Sequence, residues 1–126
     1  MEQRVIVRGL LETADGILLL RRPDHKKYNP GLYELPGGKV DMGEAPPDAL
    51  RREFREETNI EVVIGSIVHV GSYVMHEMHA IELVYNVHAN DVSSFRLSDE
   101  HIDSQWARQP YDLPMSLGTE ETLQSR

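Results

Sequence analysis

The 126-residue chain has 40% hydrophobic and 27% charged residues, enough for a real core without cross-links and far from the profile of a disordered chain. Thirteen Lys and Arg against 21 Asp and Glu give a formal net charge of -8, which argues against a protein that works by coating nucleic acid or an anionic membrane. With no cysteine, a disulfide framework, a thiolate metal site and a Cys nucleophile are excluded.

One domain over residues 1–126 is expected from this length. The start, MEQRVIVRGLL, lacks the basic end and long apolar stretch of a secretion signal, and the longest apolar run, residues 17–20, is too short to span a bilayer. A cytoplasmic location fits these features and the absence of cysteine.

Residues 5–11 and 17–20 read as two antiparallel strands joined at ETADG, with Asp15 and Gly16 supplying the positive backbone angles of a tight turn. RRPDHKKYNPGLYELPGG follows, a long irregular segment punctuated by Pro and Gly. Pro46 and Pro47 suit a first helical turn, so a helix is predicted from about residue 46 to 58, closed by Asn59. Residues 62–74 and 80–87 are strand-like, the second with Ile81, Leu83, Tyr85 and Val87 on one face and Glu82, Asn86 and His88 on the other. Trp106 belongs on a further strand after the acidic loop LSDEH, and SLGTEETLQSR reads as a short terminal helix. Strands around one strong central helix predict a mixed α/β or α+β sandwich.

On the central helix, Glu53, Glu56 and Glu57 share an arc about 100° wide, with the small Ala49 inside it and Leu50 and Phe54 forming an adjacent apolar stripe. Like charges so placed repel. The spacing leaves two explanations open: a solvated acidic face, or a cradle for a hard divalent cation such as Mg²⁺, which takes carboxylate, water and phosphate oxygens. Arg52, at the edge of the arc, is placed to orient one carboxylate by a fork of hydrogen bonds. Just upstream, Gly37 and Gly38 allow close backbone approach to a metal or phosphate, and Lys39 adds a charge suited to phosphate.

Gly38, then five residues, Glu44, seven residues, and Arg52-Glu53-Phe54-Arg55-Glu56-Glu57-Thr58-Asn59-Ile60 resemble the signature of the Nudix hydrolase family over residues 38–60. One specified position departs: Asn59 stands where the family has Gly. Asn is the next best residue for a left-handed helix end, so the geometry is expected to survive. Arg21-Arg22 at a strand end and YELPGGK before the box extend the resemblance over most of residues 5–107.

The resemblance implies an α/β/α sandwich with a mixed β-sheet, and hydrolysis of a nucleoside diphosphate linked to a group X. It implies Mg²⁺, or Mn²⁺ as a substitute, held by Glu53, Glu56 and Glu57, with a carbonyl of Gly37 or Gly38 adding an oxygen. The general base comes from the box or a later loop, which makes Glu53 and Glu100 the catalytic candidates, while Glu44 braces the loop entering the helix. Arg22, from the basic cluster Arg21, Arg22, Lys26 and Lys27, and Lys39 are candidates for substrate phosphates. Tyr33 or Tyr28 could stack on a base and Glu34 could accept hydrogen bonds from a base edge.

Within the family the chain looks most like MutT-type enzymes that convert nucleoside triphosphates, oxidised ones included, to monophosphate and pyrophosphate. An ADP-ribose or nucleotide-sugar pyrophosphatase and a nucleotide sensor without activity are the alternatives. The partner is then a small nucleotide, with no nucleic acid polymer and no membrane; a homodimer is common in the family. HEMH spaces its histidines at three, not the four of a zinc-protease helix, and reads as a hairpin connection. His25, His69, His88 and His101 read as ordinary polar or core residues.

Overall fold

A computed structural model describes residues 1–126. Seven strands and two helices follow in the order β1 (Glu2–Thr13), β2 (Gly16–Arg21), β3 (Tyr33–Glu34), β4 (Gly37–Lys39), α1 (Pro46–Thr58), β5 (Val63–Met75), β6 (Met78–His88), β7 (Asp103–Ala107) and α2 (Leu117–Gln124). No helix is long and apolar enough to cross a membrane.

The sheet is mixed and centred on β1. Its residues run parallel to β6 from Glu2↔Met78 to Leu11↔Val87, pair with β4 on the other side at Ile6, Val7 and Arg8, and turn into β2 only at Glu12 and Thr13. β2 continues the sheet to β3 and β7, both antiparallel, and β5 closes the far edge against β6. The predicted hairpin is therefore present but short. Of its turn residues, Gly16 alone takes a positive φ, 126°, while the Asp15 N–H is held by Thr13 Oγ1 at 3.1 Å. The segment read as wholly irregular contains β3 and β4, because both find partners distant in sequence.

β2 shows why its apolar run is continuous: Leu18 and Leu20 enter the cluster under α1, whereas Ile17 and Leu19 enter the cluster that includes Leu123 of α2. The helices thus cover opposite faces of the sheet. β6 divides likewise, with Tyr85 and Val87 on the α1 side and Val84 on the other, while Met78, Ala80 and Glu82, on the face of Val84, are buried too. Its second face is therefore covered from Met78 to Val84 and open to solvent at Asn86 and His88.

Helix α1 has the predicted bounds, with Pro at its first positions and Asn59 at φ 58°, ψ 25° as its left-handed end. The Asn59 amide also donates to the Ser94 carbonyl at 3.0 Å, a tie that glycine could not make. Leu50 and Phe54 are fully buried, each contributing about 1.5–3 kcal/mol by leaving water. Phe54 also closes over Gly9 of β1, where any Cβ would meet its ring. Phe54→Ala is expected to cost about 3–5 kcal/mol, read as a lower urea midpoint with unchanged slope.

Candidate active site

Anchored through Leu50 and Phe54, α1 turns Glu53 and Glu57 toward β4. Gly38 faces Glu53 so closely that a Cβ there would lie 2.5 Å from the carboxyl carbon, and Gly37, at φ 153°, donates its N–H to Glu57 Oε1 at 3.0 Å. Gly37 is required by contact with the β1 backbone behind it, whereas a side chain at Gly38 would push aside the carboxylate end of Glu53.

Oxygens of Glu53, Glu57 and Glu100 gather within 4.8 Å of one another, although Glu100 lies 43 positions beyond Glu57. Burial pushes the Glu57 carboxyl well above its usual range, with repulsion from Glu34 and Glu53 adding to it, against Arg8 and the Gly37 N–H. Burial also raises Glu53, partly offset by Arg52 and reinforced by Glu56 and Glu100. Carboxylates that disfavour their own ionisation need a cation to ionise together. An oxygen-only set suits a hard divalent ion, whose neighbouring ligands sit about 3–4 Å apart when bonds are near 2.1 Å. The donor set fits such an ion.

Glu56 differs. Its half-exposed carboxylate is held by Arg52 Nη1 at 3.3 and 3.5 Å and lies outside the gathered oxygens. Arg52 makes the expected fork, but mainly to Glu44, with Nε and Nη2 each 2.9 Å from an oxygen. Its Nη1 reaches Glu53 Oε1 at 3.0 Å and its Nη2 the Lys39 carbonyl at 3.1 Å, so one guanidinium joins the loop, β4 and the helix face. Arg52 and the Asp41 N–H hold the Glu44 carboxyl down to about 2, in keeping with a brace that stays charged.

Beneath the acidic trio lies a buried ionic cluster. Arg8 sits between Glu34 at 3.2 Å and Glu82 at 3.6 Å and donates to the Leu35 carbonyl. Arg22 Nη1 and His101 Nε2 approach the other oxygen of Glu34, at 3.4 and 3.0 Å. Burial works against the Glu34 charge, but Arg8, His101 and Arg22 together hold its carboxyl below the usual range. The sequence reading leaves Arg8 unremarked, gives Glu82 only a strand face and takes His101 as an ordinary polar or core residue. Arg8 and Glu82 stand at alternating strand positions where a polar residue usually meets solvent, and His101 has no local pattern around it.

A cleft of about 660 Å³ runs from Gly37, Gly38, Glu53, Glu57 and Glu100 across the sheet face. Lys39 and Arg22 line it. Its floor follows register: Lys39 is opposite Ile6, Ile6 opposite Glu82, and Arg4 opposite Ala80. Tyr28 lines the far part, with Arg4 and Lys27 within 5.6 and 5.4 Å of its ring. The structure places neither Tyr33 nor Glu34 on the cleft surface: Tyr33 is buried in β3 with its hydroxyl on Asp103, and Glu34 is consumed by the ionic cluster. Of HEMH, His76 and Glu77 form the β5–β6 turn, with His76 at φ 54°, while Met78 and His79 begin β6.

Residues 2–110 match the NUDIX domain family. Nucleoside triphosphatase NudI of Salmonella arizonae is 32% identical over 138 aligned positions, covering 98% of this chain and 96% of that protein. The crystal structure of a MutT protein from Methanosarcina mazei Go1 superposes with a TM-score of 0.77 at 32% identity, over 84% of this chain and 77% of that one. A MutT NUDIX hydrolase from Burkholderia pseudomallei gives 0.88 at 26% identity, over 99% and 98%.

Because Glu57 is protonated more readily in the folded than in the unfolded chain, the folded state binds the extra proton between the ordinary value near 4.5 and its raised one. Stability of the metal-free protein therefore falls as pH rises through that window. Glu57→Gln, which keeps an oxygen for the Gly37 N–H, is expected to be more stable than the parent at pH 7 in EDTA. Urea unfolding at pH 5 and pH 7 should show that gain shrinking at the lower pH.

Proposed function

The chain belongs to the NUDIX family of hydrolases, and from that premise we propose that it cleaves nucleoside triphosphates, oxidised ones included, to nucleoside monophosphate and pyrophosphate. The convergence of Glu53, Glu57 and Glu100 beside Gly37 and Gly38 at the end of a nucleotide-sized cleft carries this reading. The name nucleoside triphosphatase on a relative aligned over nearly the whole of both chains supports the triphosphate as substrate. Residues 1–126 then form one cytoplasmic Nudix domain.

In this proposal Glu53 and Glu57 hold Mg²⁺, for which Mn²⁺ can substitute, with a carbonyl of Gly37 or Gly38 as a further ligand. When bound, the ion neutralises phosphate charge and lowers the pKa of an attacking water. Glu100, whose carboxylate makes no hydrogen bond within the protein, takes the proton of that water, whereas Glu53 is already tied to Arg52. Water oxygen bonds to one phosphorus of the cleaved anhydride as its bridging P–O bond breaks, and the bridging oxygen leaves with the other phosphoryl group. Glu56 stays outside the inner set and, with Glu44, keeps Arg52 in place.

Lys39 and Arg22 bind the phosphates. Tyr28 takes the stacking role, since its ring lines the cleft and Tyr33 does not. Glu34 acts by holding Arg8, Arg22 and His101, with no contact to the base. An activity screen across nucleoside triphosphates, oxidised guanine nucleotides, ADP-ribose and nucleotide sugars tests the reading. Monophosphate and pyrophosphate from a triphosphate are expected, and turnover confined to ADP-ribose or sugar nucleotides would overturn the substrate. Glu53→Gln should lower kcat more than about 100-fold, or about 2.7 kcal/mol. Tyr28→Ala should raise KM about 10-fold with little change in kcat, as loss of a base-stacking ring would.

A further inference from the structure

Glu100 owes its place among the carboxylates to a loop without regular structure, and the ties of that loop are few. Ser98 N–H donates to the Glu57 carbonyl at the end of α1, at 3.1 Å, and Ile102 N–H donates to the Arg21 carbonyl at 2.9 Å. Between these anchors the backbone bonds only to Ser98 itself, through the N–H groups of Glu100 and His101. One side-chain bond joins this stretch to the sheet: His101 Nε2 to Glu34 Oε2, 3.0 Å, with both residues buried.

Glu34 is a fixed acceptor. It sits on β3 between Arg8 and Arg22 and stays ionised, so the imidazole nitrogen facing it carries the proton. Nδ1 is then left buried with no partner. A histidine present only to fill space would leave neither an ion-facing Nε2 nor an orphaned Nδ1, because apolar residues fill such a place at lower desolvation cost.

We propose that His101 is a positioning residue: its Nε2–H bond to Glu34 latches the 98–102 loop and sets the Glu100 carboxylate beside Glu53 and Glu57. The ionic cluster of Arg8, Arg22 and Glu34 is thereby coupled to the reacting groups through one hydrogen bond. The inference rests on the role given to Glu100 above, and its test separates the two.

The side-chain amide nitrogen of glutamine reaches about as far as Nε2, and that of asparagine only as far as Nδ1. His101→Gln should therefore keep the latch and His101→Asn should lose it. Two readouts are compared: amide hydrogen exchange at residues 98–102 in the metal-free protein, and kcat with Mg²⁺ on the nucleoside triphosphate that turns over fastest in the screen. Asn at 101 is expected to speed exchange in the loop about 10-fold and lower kcat about 10–100-fold with KM nearly constant, the range seen when an outer partner of a metal-site group is lost. Gln at 101 should restore most of both. In a Glu100→Gln background, His101→Asn should cost nothing further, because residues acting as a unit are not additive.

Unchanged loop exchange in His101→Asn, equal behaviour of the Gln and Asn variants, or full additivity with Glu100→Gln would each overturn the latch. A Glu100→Gln variant as active as the parent would instead overturn the assignment of Glu100. Should His101→Asn unfold, His101→Met, which fills the space without a donor, replaces it in the same comparisons.

Discussion

Like charge brought together inside a protein is the constraint around which this molecule is arranged. Glu53, Glu57 and Glu100 converge within 4.8 Å, and burial together with neighbouring carboxylates pushes Glu53 and Glu57 toward their protonated forms. Nothing in folding alone rewards this. The fold holds it because α1 is fastened by Leu50 and Phe54, because two glycines clear the space beneath, and because arginines answer the charge from outside the trio.

Those arginines divide the work. Arg52 meets Glu44, Glu53 and Glu56 at the rim, while Arg8 lies beneath between Glu34 and Glu82. Neither leaves a free cation at the mouth of the acidic site. Removing one partner of a buried set such as Arg8 and Glu34 leaves an uncompensated charge, which makes the set costly to alter even where it adds little net stability. An overall charge of -8 is compatible with a polyanionic substrate because Arg4, Arg22, Lys26 and Lys39 all line one cleft.

Much of this was legible along the chain. Pro46, Pro47 and Asn59 mark the helix, and its 3.6-residue period separates Leu50 and Phe54 from the carboxylates. The box, residues 38–60, is legible because its contacts, such as Gly38 to Glu53 and Arg52 to Glu44, all fall within one short stretch whose spacing the signature fixes. The glutamate arc was read as three equivalent groups, yet Glu57 is buried, Glu53 partly so and Glu56 exposed, since periodicity gives direction but not depth. Tyr33 and Glu34 looked available in a segment rich in Gly and Pro; strand pairing with Arg21 and Leu20 buries both.

The sequence by itself determined the family, the sandwich class, the span of the box helix and the facing of its carboxylates, because these depend on residue type and on spacings of a few positions. Tertiary structure alone decided that Glu100 joins the acidic trio, that His101 ties its loop to Glu34, and that Tyr28 instead of Tyr33 faces the cleft. Each of these joins segments tens of residues apart. Such contacts are set by the register of β1 against β4 and β6 and by where loops land on the sheet, and no one-dimensional pattern carries that information.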